Sequence, residues 1–325
     1  MRSAIAFQAA QDIAGQALTV ITATLVGANH YTVRNLTYDT LVIDEAGQAL
    51  EPACWIPILK AKKVVLAGDH CQLSPTVKSS PLTPEGGTKI GLGNTPFGGL
   101  GATLLEKNIA IHPESVTLLE EQYRMHEAIM GYSSKVFYQN KLKAHASVAK
   151  HSLKNDDAPL LFVDTAGCGF EEKLEGTSST NPEEAALTLK HLANFCEQLS
   201  AEYSPENFPT VAVISPYSKQ VTILQEQILL IDSLKRYAHR ISVNTIDSFQ
   251  GQERDIVYIS MTRSNDEGSI GFLSDIRRMN VAMTRARKKL VVVGDSATLA
   301  QFPFYADFIE YAEKIGGYLS AWEVV

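Results

Sequence analysis

Two carboxylates stand side by side at the end of an apolar run in LVIDEAGQA (41–49), Asp44 and Glu45. In open α/β sheets ligands gather beyond the carboxyl ends of the strands, and adjacent acids placed there can divide the work of ATP hydrolysis. Asp44 suits a Mg²⁺ ion, held directly or through water, while Glu45 suits orienting and deprotonating a water for in-line attack on the γ-phosphate. The plainer reading is a solvated strand end. VVLAGDHCQLSP (64–75) repeats the design, with Asp69 and Gln72 on the loop after a second apolar run. A neutral amide both donates and accepts, so Gln72 suits a sensor whose contacts change when the γ-phosphate leaves. A structural turn glutamine is the alternative, and His70 and Cys71 beside it are read as packing or turn residues.

Three further segments carry usable chemistry. In LLEEQYRMHEAI (118–129), Arg124 offers a fixed cationic fork of the kind that neutralises charge on a transferring phosphoryl, and Tyr123 can stack on adenine or on a neighbouring ring. A surface salt bridge would serve Arg124 equally. VNTIDSFQGQERDIVYISMTRSN (243–265) reads as strand, turn, strand. Gly251 there permits a tight turn or close backbone approach, Glu253 is placed to accept from ribose hydroxyls, and Thr245 and Ser248 can hydrogen-bond a nucleic-acid backbone. A capped loop is its plainer reading. DIRRMNVAMTRARKKLVVVGD (275–295) reads as a basic helix feeding a buried strand, with Arg278, Arg285 and Arg287 one or two turns apart. Such a charge run also suits a solvated or ion-paired face.

The elements that must position these residues are short apolar runs, each ending in a polar or glycine-containing turn: 18–24, 39–45, 63–69, 115–121, 159–165, 210–216, 241–247, 255–261 and 289–295. Continuous apolar strands predict sheets covered on both faces. Helical patterns lie between them at 127–139, at 183–199 with Asn181 and Pro182 as cap and first-turn residue, and at 218–231. Alternating strands and helices predict an α/β fold with mostly parallel sheets. The Gly/Pro/Ser/Thr-rich residues 78–101 predict a surface loop near a domain boundary, and 166–181 an irregular decoration.

A chain of 325 residues, 45% hydrophobic and 20% charged, is long enough for two cores. The net charge of -7 neither requires nor excludes nucleic acid. Cys54, Cys71, Cys168 and Cys196 form no C-x-x-C pair, so zinc ligation and a disulfide framework lack support. No run reaches the roughly 18 apolar residues of a membrane span, and no signal-peptide layout is present, so a soluble, cytoplasmic protein without a membrane partner is expected.

Order and spacing together carry a resemblance. VITATLVGA, VIDEAGQA, LAGDHCQLSPTV, EEQYRMH, VISPYSKQ, VNTIDSFQGQERD and GFLSDIRRMNVAMTRARKKLVVVGD resemble the successive motifs of the Upf-like and Dna/Nam-like branch of superfamily 1 helicases, over nearly the whole chain. The resemblance implies two RecA-like P-loop NTPase domains with mostly parallel sheets, expected here as 1–112 and 113–325, with ATP and Mg²⁺ as cofactors and single-stranded DNA or RNA as partner. It implies Asp44 and Glu45 as the Mg²⁺ and general-base acids, Gln72 as the γ-phosphate sensor, and Arg124 and Arg285 as arginine fingers. Glu253 becomes the ribose contact and Tyr123 the nucleotide-stacking residue, with Gly251 beside them. Thr22, Thr24, Pro216, Tyr217, Thr245 and Ser248 fall in segments that line the nucleic-acid track.

One departure stands against that pattern. Such motors hold the β- and γ-phosphates with G-x-x-x-x-G-K-[ST], and nothing in the 325 residues fits. GGTKIG (86–91) has its lysine in the wrong place. The expectation is therefore a first domain incomplete at its N-terminus, and a chain that by itself is weak or inactive in ATP hydrolysis. A non-catalytic module that binds nucleic acid or a partner is the competing class.

Overall fold

The computed structural model describes residues 20–75, 101–154, 156, 158–176 and 178–324. The chain divides into two compact units, Met1–Thr117 and Leu118–Val325.

In the first unit the run ending at the acidic pair forms β1 (Tyr38–Ile43), and the next run forms β2 (Ala61–Leu66), paired in parallel with Ile43 opposite Leu66. Parallel neighbours need a crossover. The helix Glu51–Ile58 supplies it, with a proline in its first turn where the missing N–H breaks no helical bond. A second helix, Leu104–Ile111, opens on a capping box: Thr103 Oγ1 accepts from the Glu106 N–H at 3.1 Å, and the Glu106 carboxylate accepts from the Thr103 N–H at 3.0 Å. Ile43, Ala46, Ala49, Cys54, Leu104 and Leu105 close a small core, and a Lys107–Glu51 ion pair ties the two helices.

The second unit is built on one six-stranded parallel sheet. Its strands are β5 (Leu160–Asp164), β8 (Val211–Ser215), β9 (Ile241–Thr245), β10 (Arg254–Ser260), β11 (Ala286–Gly294) and β12 (Tyr318–Ser320), in the order β12-β5-β11-β10-β8-β9. Val211, Val213, Ile256, Tyr258, Val291 and Val293 are wholly buried, which is why the central strands read as continuous apolar runs rather than alternating ones. The helix Pro182–Leu199 lays Leu189, Leu192 and Cys196 on that sheet. As expected, Asn181 is its cap, with Oδ1 accepting from the Glu184 N–H at 2.9 Å, and Pro182 sits in the first turn.

The α/β class with mostly parallel strands is as expected, and several elements differ. Residues 115–121 form no full strand: a turn covers Pro113–Ser115, and only β3 (Glu121–Gln122) pairs, with β4 (Lys143–Ala144). Leu119 is 81% exposed there, since no strand among the described residues covers it. The described part of the first apolar run, 20–24, carries no strand either, and Val20 and Val26 face solvent. Inside 166–181 lies an antiparallel hairpin, β6 (Lys173–Glu175) and β7 (Ser178–Thr180), whose turn contains Gly176 at φ +66. β11 starts at Ala286, earlier than the apolar pattern suggests, because Arg287 and Lys288 find carboxylate partners on β10 at Asp255. The loop expected at 78–101 and the GGTKIG segment lie outside the described residues, apart from Gly101.

Candidate active site

In the first unit the two acids extend past β1, and the backbone bends sharply beneath them. Glu45 takes φ +52, in the left-handed region that non-glycine residues adopt at some cost. The conformation is held locally: the Glu45 N–H donates to Asp44 Oδ1 at 2.9 Å, and Gln48 Nε2 donates to Glu45 Oε2 at 2.8 Å. Both acids are exposed, above an interior formed by Ile43, Ala46 and Gly47.

Next to them β2 runs on into Ala67, Gly68 and Asp69, and the two strand ends interlock. The Ala67 N–H donates to the Ile43 carbonyl at 2.9 Å, and the Ala46 N–H to the Ala67 carbonyl at 2.8 Å. A Cβ on Gly47 would lie 2.6 Å from the Asp69 carbonyl oxygen, and one on Gly68 would lie 2.7 Å from the Gly47 nitrogen. Glycine at both positions lets the loops bearing Asp44–Glu45 and Asp69–Gln72 approach each other backbone to backbone. Asp69 then organises its own loop, with Oδ1 accepting from the Cys71 N–H at 2.9 Å and Oδ2 from Gln72 Nε2 at 2.8 Å. Asp44, Glu45 and Gln72 therefore share one edge of the β1–β2 pair. Exposed carboxylate oxygens suit a hard divalent cation such as Mg²⁺, which takes oxygen ligands and retains waters. Thr22 and Thr24 are exposed, and Thr24 Oγ1 accepts from the Gly27 N–H at 3.0 Å.

In the second unit Gln122 builds the turn that carries Arg124. Its Oε1 accepts from the Arg124 and Met125 N–H groups at 2.8 and 2.7 Å, and its Nε2 donates to the Met125 carbonyl at 2.8 Å. Sequence reading missed this amide, although the pattern Gln-x-Arg-Met holds it. Arg124 Nε donates to Glu253 Oε2 at 2.7 Å and its Nη1 to the Thr284 carbonyl at 3.2 Å. Tyr123, 61% exposed, stacks on His145 with centroids 4.4 Å apart. Its hydroxyl donates to Glu121 at 2.8 Å, and that bond raises its pKa.

Around Glu253 the strand ends form a charged row. Arg287 reaches Glu253 at 3.7 Å, and Lys288 reaches Asp255 at 3.4 Å. Burial works to raise the Asp255 carboxyl, but the N–H and hydroxyl of Thr210, with Lys288 and Arg287, outweigh it and hold the group below the usual range. Gly251 has φ +72 with open space where a Cβ would stand, so its left-handed turn, not crowding, asks for glycine.

Arg285 has a different setting. It is 2% exposed, and its guanidinium donates to the Val281 carbonyl at 3.0 Å, the Gln252 carbonyl at 3.3 Å and Thr284 Oγ1 at 3.1 Å. It thereby ties the helix Ile276–Met283 to the Gly251 turn. Of the residues expected along a nucleic-acid track, Thr245 Oγ1 lies 3.3 Å from Ser248 Oγ on a partly exposed turn, Pro216 is half-buried, and Tyr217 is buried at 2% exposure.

Sequence reading also passed over a buried polar network behind this edge. Glu184, fully buried, accepts from Ser260 Oγ at 2.6 Å and from the Thr262 N–H at 2.8 Å. Gln220 Nε2 donates to Ser260 Oγ at 3.0 Å and to the Asn181 carbonyl at 2.9 Å. Thr262, β-branched, stands at φ +70, a strained conformation that these bonds enforce. Nothing in the strand pattern separates a buried glutamate inside an amphipathic helix from a surface one.

Parallel strands with two acids and an amide on the loops beyond their carboxyl ends place the chain in the nucleotide-binding class of α/β proteins. The chain belongs to the superfamily 1 helicases of the Upf-like branch: models of the AAA domain family match residues 100–297 and 6–80. It is 37% identical to the DNA-binding protein SMUBP-2 of Mesocricetus auratus over 88% of this chain and 28% of that protein. It is 35% identical to the DNA polymerase alpha-associated DNA helicase A of Saccharomyces cerevisiae over 97% of this chain and 46% of that protein. It is 34% identical to the regulator of nonsense transcripts 1 homolog of Drosophila melanogaster, over 90% and 24%. The chain thus spans less than half the length of these relatives. Among solved structures the PRRSV helicase matches at 16% identity and TM-score 0.39, covering 89% of this chain and 42% of that one, too distant a likeness to support an inference.

Proposed function

We propose that the whole protein is an ATP-dependent helicase or translocase acting on single-stranded DNA or RNA in the cytoplasm, and that this chain carries most of its hydrolytic machinery. The observation that carries the reading is the shared edge in the first unit, where Asp44 and Glu45 stand beside the Asp69–Gln72 loop through the glycine contact at Gly47. In this reading residues 1–112 are a partial first RecA-like domain and 113–325 a complete second one. Asp44 would hold Mg²⁺, which supplies charge neutralisation at the phosphates when bound.

Each remaining role falls to a side chain of the chain itself. Glu45 orients and deprotonates the attacking water, and the left-handed turn beneath it sets where its carboxylate points. Gln72 senses the γ-phosphate through an amide already oriented by Asp69. Arg124 and Arg285 act on charge developing during phosphoryl transfer, Tyr123 and Gly251 border the nucleotide, and Glu253 contacts ribose. Burial of Arg285 means that its role requires the helix end at Val281–Thr284 to shift, or that it acts by holding the Gly251 turn. Thr22, Thr24, Pro216, Thr245 and Ser248 line the strand track, with the buried Tyr217 beneath it.

The test is a steady-state ATPase assay on the whole protein, with and without single-stranded nucleic acid, for wild type, Glu45→Gln and Gln72→Ala. Strand-stimulated turnover that falls at least a hundred-fold in Glu45→Gln is expected, the scale of losing a positioned general base. Unchanged turnover in that variant removes Glu45 from the catalytic role, and no turnover in wild type leaves a binding module.

A further inference from the structure

Phe272 is 53% exposed, yet the backbone beneath it is built like an interior. It sits on the turn Gly271–Ser274, whose first residue has φ +52 and no room for a side chain: a Cβ there would lie 2.8 Å from both Arg263 Nη1 and the Tyr217 hydroxyl. Arg263 is 8% exposed, pairs with Glu172 at 2.8 Å and donates to the Ser269 carbonyl at 2.5 Å. The Tyr217 hydroxyl donates to the Ile270 carbonyl at 3.4 Å, and the Tyr305 hydroxyl to the Leu273 carbonyl at 2.7 Å. Asn265 closes the loop, its side chain bonded to Ser269 in both directions at 2.9 Å.

A single exposed phenylalanine is ordinary. Burying a guanidinium and a phenol to fix the turn beneath it is costly and calls for a reason. The Tyr217 ring, itself buried, backs the Phe272 ring with centroids 5.5 Å apart and planes at 45°, so one side is supported and the rest is open. The position is also specific. Tyr217 follows β8, and the turn runs on into the helix Ile276–Met283, which packs on the turn Ile246–Phe249 where Arg278 meets Asp247 at 3.3 Å. Phe272 therefore touches the 216–217 segment and stands on a loop that leads into the helix packed on the 246–249 segment.

We propose that Phe272 is a base-stacking platform for single-stranded nucleic acid, held ready by Tyr217, Arg263 and Gly271. The proposal rests on the strand-binding reading above. A rigid, solvent-facing ring offers a surface on which any base can stack, and the partly exposed cation of Arg278 nearby suits the strand's phosphates. Stacking on it is sequence-tolerant and adds nothing to the salt dependence of binding, because no phosphate is neutralised.

The experiment is fluorescence anisotropy of the whole protein with a thymidine homopolymer and with the same strand lacking all bases, over a range of salt. Phe272→Ala is expected to weaken homopolymer binding about ten-fold, the scale of one lost base stack, and Phe272→Trp to stay within about two-fold of wild type. The slope of log affinity against log salt stays unchanged, and the baseless strand is bound equally by wild type and Phe272→Ala. Unaltered homopolymer binding in Phe272→Ala, or an equal loss on the baseless strand, overturns the proposal. If wild type binds neither strand, the strand-binding reading fails and this proposal falls with it.

Discussion

Arg124 Nε donates to Glu253 Oε2 across 2.7 Å, joining residues 129 positions apart in sequence. The same guanidinium reaches the Thr284 carbonyl at 3.2 Å, so one side chain bridges the turn after β3 to the start of β10 and the end of a helix. A planar fork is required for this, because a lysine ammonium cannot present two donors in fixed divergent directions.

Arg124→Lys therefore tests geometry at constant charge. In the whole protein, turnover is expected to fall roughly a thousand-fold, the low end of what arginine contributes in phosphoryl transfer, with single-strand affinity unchanged. Steady-state ATPase rates beside anisotropy titrations provide the check. A lysine variant with wild-type turnover would show that positive charge alone suffices.

Gly47 makes a prediction about stability. Gly47→Ala forces a Cβ to within 2.6 Å of the Asp69 carbonyl oxygen, so the two loops must separate. Overpacking of this kind costs about 1–3 kcal/mol. Urea unfolding of Gly47→Ala is expected to show that loss, and Gly101→Ala, with nothing within 4 Å of its Cβ, serves as the neutral control. Equal midpoints for the two variants would contradict the close approach.

Burial pushes the Glu184 carboxyl up to about 8, against its bonds from Ser260 and the Thr262 N–H, with the Asp295 and Glu172 carboxylates adding to the rise. Glu172 is itself paired with Arg263 at 2.8 Å. The folded state thus holds a proton that the unfolded chain releases near 4.5, so this contribution is fully present below about 4.5 and is lost as pH rises through about 8. Glu184→Gln keeps an acceptor for both bonds and has no charge to bury. Unfolding at pH 6 and pH 9 is expected to show a fall in stability for wild type and a flatter response for the glutamine variant. Parallel responses would mean that Glu184 is already ionised in the fold.

Arg285 is predicted to be structural as well as functional. Arg285→Ala removes a buried guanidinium that donates to the Val281 and Gln252 carbonyls, and a hydrogen bond from a charged donor is worth about 1.5–3 kcal/mol. Thermal melting is expected to register this, together with a drop in turnover of the whole protein by orders of magnitude. Turnover lost without any change in melting would make the buried bonds incidental.

The chain alone also allows a direct measurement. No G-x-x-x-x-G-K-[ST] is present in its 325 residues, so the isolated chain is expected to hydrolyse ATP slowly even with saturating single strand. Vigorous stimulated turnover would place the phosphate contacts elsewhere.

Local chemistry was legible in the residues themselves. Apolar runs give β1, β2 and the central strands of the large sheet because residues buried on both faces leave little choice of type. Asn181 and Pro182 announce their helix because capping depends on neighbours a few positions away. Asp44, Glu45 and Gln72 could be placed beyond strand ends for the same reason. The tertiary structure alone decided what depends on distant partners. It left 116–120 without a strand and Leu119 exposed, because no strand among the described residues lies alongside to bury it, and it drew Arg287 and Lys288 into β11 because Asp255 waits on β10. It joined Arg124 to Glu253, buried Arg285 and Tyr217, and set Thr262 at a strained angle beside a buried Glu184. A side chain's type limits the bonds it can make, whereas its burial and its partner are properties of the packed chain.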